Sequence, residues 1–166
     1  MVVVKTVKFD GEEIHFFNHA IYIFEDHARF NLELDLIVSE VVLKKYKKVE
    51  NLIIEIELDD GRWLNLIMHV KILPGRLPQL NLFCEIDDIE DYCDFVQVKE
   101  AESDFPNIEE GITLEDIRKV EMPDEEVNIR VKLPIDQVEW VKGQKKSQLS
   151  EMVKEFIYQY WEDYNK

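Results

Sequence analysis

Residues 29–38, RFNLELDLIV, place Phe30, Leu32, Leu34, Leu36 and Val38 on one side of an extended chain and Asn31, Glu33 and Asp35 on the other. Successive side chains of a strand point to opposite faces, so this run specifies a half-buried β-strand. The same alternation returns in NLIIEIEL and RWLNLIMHVKIL, on either side of Asp60-Gly61. Asp-Gly between such runs predicts a hairpin, because both residues tolerate the positive φ of a tight turn. A second hairpin signal is VVVKTVKF, Asp10-Gly11, EEIHFF. LNLFCEI and DFVQVKE read as two further strands around an acidic turn, and LPGRLP is a loop by its prolines and glycine. SEVVLKKYKKVE fits either a strand end with a basic turn or a short helix. Residues 2–99 therefore predict an antiparallel sheet curled into a barrel or sandwich.

The period changes toward the C-terminus. Residues 100–112 read as a linker, and Thr113 with Asp116 forms a capping-box pattern ahead of a short helix in TLEDIRKV. EMPDEE is a further break. Beyond it, VNIRVKLP alternates Asn128, Arg130 and Lys132 with Ile129, Val131 and Leu133. Pro134 suits a first helical position, Ile135, Val138 and Val141 make a short apolar stripe, and Gly143 is a natural stop. From Ser147, a good N-cap residue, Leu149, Met152, Val153, Phe156, Ile157, Tyr160, Trp161 and Tyr164 recur at steps of three and four. That spacing predicts a strongly amphipathic helix. The expected organisation is α+β: an antiparallel β domain over 1–120, a linker over 121–126 and a smaller module over 127–166.

Charge follows the same division. The chain carries 20 Lys and Arg against 36 Asp and Glu, a net −16. Residues 127–166 hold seven basic and six acidic residues, leaving 13 basic and 30 acidic in 1–126, a balance of −17. Such an acidic body repels DNA, RNA and anionic membranes at long range, and it also keeps a protein soluble. No apolar run approaches the roughly 20 residues of a membrane span. MVVVKTVKF has neither a basic leader nor a cleavage signature. With only Cys84 and Cys93 in the chain, a reducing cytoplasm is the expected setting.

The order strand, proline, short helix, turn and long helix within 127–166 resembles the ribbon-helix-helix DNA-binding family. NIRVKLP matches the ribbon, IDQVEWVKG the first helix, and KKSQLSEMVKEFIYQYW the turn and second helix. The resemblance implies a homodimer whose paired strands enter the major groove of double-stranded DNA. It implies base contacts from Asn128, Arg130 and Lys132, residue types suited to guanine and adenine edges. It implies phosphate contacts from Lys145, Lys146 and Ser147 at a helix N-terminus. The dimer core would comprise Ile129, Val131, Leu133, Val138, Val141, Leu149, Met152, Val153, Phe156 and Ile157. The match covers about a quarter of the chain and says nothing of residues 1–126. Two features depart from the family's common pattern: the first helix is short and the module is C-terminal.

Other chemistry has weaker signals. His15, His19, His27 and His69 show no zinc spacing with Cys84 and Cys93, and EIDDIEDYCD lacks the pattern of a calcium loop. No phosphate-binding glycine loop or nucleophile signature is present, so neither an enzyme nor a cofactor is expected. Trp63, Trp140 and Trp161 are expected in packed cores by default, with an interface or a ligand pocket as the alternative, and Trp140 lies off its helix's apolar stripe, where a partner subunit or the N-terminal domain could cover it. A second class of function stays open: the acidic domain could bind a basic protein, a small ligand or a nucleic-acid-binding surface by mimicry. The C-terminal helices would then only dimerise the chain or cap the β domain.

Overall fold

The computed structural model describes residues 1–101 and 104–166. The alternating runs form strands, and each buries its apolar side. The strands are β1 (Val4–Phe9), β2 (Glu12–Glu13), β3 (Asn18–Asp26), β4 (Arg29–Ile37), β5 (Asn51–Leu58), β6 (Trp63–Leu73), β7 (Gln79–Glu85) and β8 (Val96–Lys99). They build one eight-stranded sheet in the order β2-β1-β5-β6-β7-β4-β3-β8. All pairs are antiparallel except β3 with β8.

The turns follow local chemistry. Phe9 faces Glu12 across a two-residue turn in which Asp10 and Gly11 have φ of 49° and 88°, the primed geometry that matches strand twist. The β5–β6 hairpin closes where the Leu58 N–H bonds the Arg62 carbonyl, with Gly61 left-handed at φ 88°. The β3–β4 hairpin is unusual. Its turn residues are His27 and Ala28, at φ 45° and 73°, with no glycine at either place.

One face of the sheet carries the main core, including Ile23, Leu32, Leu34, Ile54, Ile56, Met68, Leu80 and Leu82, all fully buried. The ambiguous stretch after β4 is a helix, α1 (Glu40–Tyr46). Ser39 caps it by accepting from the Val42 N–H at 3.1 Å. Its Tyr46 is buried edge-on against Phe9, ring centroids 5.0 Å apart. A second cluster joins Ile37 and Leu77 to Ile108 and Ile117. Ile117 lies on α2 (Leu114–Val120), whose N-terminus has the capping box expected from Thr113 and Asp116. The acidic turn after β7 contains a short 3₁₀ helix at Ile89–Tyr92. The two strands expected around that turn both form, but β8 pairs with β3 in parallel, which departs from the all-antiparallel expectation.

The barrel and sandwich expectations are corrected: there is a single sheet and it is open. It curls far enough for the Val4 N–H of β1 to donate to His19 Nε2 of β3 at 3.0 Å.

The chain divides into two units, Met1–Asp124 and Glu125–Lys166. The second contains α3 (Ile135–Lys142) and α4 (Lys146–Tyr164), and neither helix buries a residue. Among the described residues no helix is long and apolar enough to cross a membrane.

Candidate nucleic-acid interface

Residues 127–133 form no strand in the single chain, although their sequence alternates as one. The physical reason is the lack of a ladder: no strand of the eight-stranded sheet pairs with them. Both sides of the segment are open to solvent. Ile129, Val131 and Leu133 are 61%, 70% and 42% exposed, and Asn128, Arg130 and Lys132 are exposed between them. A two-stranded ribbon is therefore not formed by one copy.

The helices begin one or two residues away from where their sequence suggested. Pro134 is the N-cap of α3 and not its first helical residue. Lys145 is the N-cap of α4, so Ser147 lies inside the first turn and its side chain caps nothing. Gly143 ends α3 as expected, its N–H bonding the Glu139 carbonyl at 3.2 Å. The first backbone bond of α4 runs from Leu149 to Lys145. The N–H groups before it have no acceptor within the helix, and the helix dipole adds partial positive charge there. Lys145, Lys146 and Ser147 thus bring two ammonium groups, a hydroxyl and free donors to one place, all exposed.

The apolar residues expected in a dimer core divide into two sets. Val138, Val141 and Leu149, on either side of the α3–α4 turn, are half-buried within the unit. Met152, Val153, Phe156 and Ile157 remain exposed on α4, and Tyr160, Trp161 and Tyr164 continue the same stripe. Phe156, Ile157, Tyr160, Trp161 and Tyr164 line one almost wholly apolar depression. Trp63, Trp140 and Trp161 are 48%, 55% and 63% exposed, which corrects their expected place in packed cores.

The first unit holds two polar constellations that the sequence did not reveal. Asp35 is buried, and accepts from Tyr22 at 3.1 Å and from Asn81 at 2.7 Å; Asn81 also donates to Glu33 at 2.7 Å. Burial holds both Asp35 and Glu33 above the usual carboxylate range, and it raises Tyr22 as well. The alternation of β4 puts Asp35 on the outer face, and only the return of residues 105–117 over that face encloses it: Phe105 lies against Tyr22 and Ile108 against Ile37. Asp26, His27 and Glu100 gather at the β3–β4 turn with ligand-capable atoms within 4.8 Å of one another. There the hydrogen bond to Asp26, then the charge of Glu100, raises His27, while the bond from His27 lowers Asp26. Asp26 is half-buried, His27 and Glu100 are exposed, and the trio is an ion pair whenever the imidazole carries its proton. Cys84 is buried and Cys93 exposed, both as free thiols.

Comparison with family models, with curated proteins and with solved structures finds no match to this chain.

Proposed function

We propose that the protein is a DNA-binding transcriptional regulator that acts as a homodimer through residues 127–166. The observation that carries this reading is a folded unit with no buried residue: α3 and α4 expose their apolar stripes. Beside them lies an alternating segment that has no ladder partner. A second copy supplies both needs at once. Its segment 127–133 pairs antiparallel with the first, Ile129, Val131 and Leu133 turn toward the four helices, and Asn128, Arg130 and Lys132 turn outward. A two-stranded ribbon fits the major groove, and these side chains carry the donors that base edges accept. The free N–H groups and lysines at the start of α4 then hold backbone phosphate, fixing position while the ribbon reads sequence. Free thiols suit a cytoplasmic setting.

The test is selection of bound duplexes from a random DNA pool by the full chain, followed by binding of the selected site across salt concentrations. A dimer is expected whose affinity falls steeply with salt, and Arg130→Ala with Lys132→Ala should abolish site preference. Failure to enrich any duplex, or equal binding by the double variant, would overturn the reading. One observation favours a second reading, in which the acidic unit binds a basic protein. Trp63, Ile53 and Ile67 are exposed on β5 and β6 with Glu55 beside them, while Glu57 is ion-paired to Lys5 and Lys8 lies over the Trp63 ring. In that case the Arg130 and Lys132 substitutions leave function intact.

A further inference from the structure

One groove of the acidic unit is basic. It has a volume of about 620 Å³ and is lined by Lys47, Lys48, Asn51, His69, Lys71 and Phe83, with Glu50 as its one acid. The turn after α1 supplies Lys47 and Lys48. Asn51 faces His69 across β5–β6, and His69 faces Phe83 across β6–β7. The His69 and Phe83 rings lie 5.1 Å apart at an interplanar angle of 36°, a tilted contact too close for side-by-side rings, with His69 exposed and Phe83 half-buried. Three ammonium groups face Glu50 of the lining and Glu33, which stands opposite Phe83 on β4 and interacts with Lys71, so the groove carries more positive than negative groups where residues 1–126 as a whole are acidic.

We propose that this groove binds a nucleoside phosphate. The base stacks on the exposed His69 ring, where stacking needs only a flat π-face, and Asn51, opposite His69 in the register of β5 and β6, brings an amide to the same place. The phosphates meet Lys47 and Lys48 at the rim, with Lys71 adding positive charge from β6. A free nucleotide suits the site better than a strand of nucleic acid, because a polymer must also cross the acidic surface around it. This inference stands apart from the DNA reading of residues 127–166.

The experiment is a nuclear magnetic resonance titration of the isotope-labelled full chain with four probes: ATP, inorganic tripolyphosphate, adenosine and a short oligodeoxyadenylate. ATP is expected to shift the amide signals of residues 47–51, 69–71 and 83 saturably. Tripolyphosphate and adenosine should each bind about tenfold or more weakly, since each lacks one half of the recognition. Lys47→Glu with Lys48→Glu should remove ATP binding while leaving any duplex binding through Arg130 and Lys132 in place. His69→Ala, an exposed change, should weaken ATP by about fivefold or more through lost stacking. No saturable shift at millimolar ATP overturns the proposal. Equal binding of tripolyphosphate overturns it in favour of a general anion patch, and tighter binding of the oligonucleotide overturns it in favour of a single-strand site.

Discussion

Phe156→Ala in the full chain tests whether a second copy covers α4. Phe156 is 57% exposed in the single chain, so a little under half of its surface is already covered by its own unit. Burying a whole Phe side chain contributes up to about 3 kcal/mol relative to leaving it in water. Covering the remaining half contributes about 1.5 kcal/mol per chain, and a symmetric dimer covers two such rings, for about 3 kcal/mol in all. The dimer dissociation constant should therefore rise about 100-fold. Sedimentation velocity over a dilution series measures that shift directly, and far-ultraviolet circular dichroism on the same samples reports whether helix is lost with the dimer. Tyr158 is 61% exposed on the same helix but off the apolar stripe, so Tyr158→Ala is the control and should change little. If Phe156→Ala dissociates over the same concentrations as the parent, the stripe is not a self-association surface and the homodimer reading fails.

Three further outcomes concern the first unit. Ala28→Gly at the β3–β4 turn should stabilise the protein by about 1 kcal/mol, because Ala28 sits at φ 73° where a Cβ is unfavourable; an unchanged denaturation midpoint would contradict this. Burial raises Asp35, so the folded state holds its proton where the unfolded chain has released it. Stability from this group is full below about pH 4 and lost as pH rises through the folded value, so Asp35→Asn should be more stable than the parent near pH 7 with a gain that shrinks on acidification. Burial lowers His19, which accepts from Val4 as a neutral ring. Its contribution is full above about pH 6.5 and lost as pH falls toward the folded value, and His19→Gln should remove that part of the pH dependence in urea unfolding.

The strands were legible because their pattern is local. The alternation from Phe30 to Val38 fixed the buried face of β4, and Asp10-Gly11 and the Asp60-Gly61 pair marked turns by backbone chemistry alone. The openness of the sheet was not legible: EEIHFF and DFVQVKE read as strands, but that β2 and β8 end the sheet is a matter of long-range pairing, which no local pattern encodes. The His27-Ala28 turn carries no turn signal, since neither residue favours a positive φ as glycine does. Asp35 reads as a solvent-facing residue until residues 105–117 fold back, and that long-range return has no local signature. The basic groove joins Lys47 and Lys48, visible as a charged run, to His69, Lys71 and Phe83 on two later strands, so only the register of the sheet assembles it. In residues 127–133 the sequence supplies a strand pattern and the single chain supplies no neighbour for it.

The short outer strands also govern how the protein behaves when crowded. A sheet edge offers unpaired N–H and carbonyl groups to any passing chain, and long flat edges seed aggregation. Here the sheet ends at Glu12–Glu13 on one side and at Val96–Lys99 on the other. An incoming strand finds two residues flanked by carboxylates at the first edge and a four-residue template carrying Lys99 at the second. The longest strand, β6, lies inside the sheet, paired with β5 through Trp63–His69 and with β7 through His69–Leu73. End strands this short offer an incoming chain little backbone to pair with, which works against edge-to-edge growth.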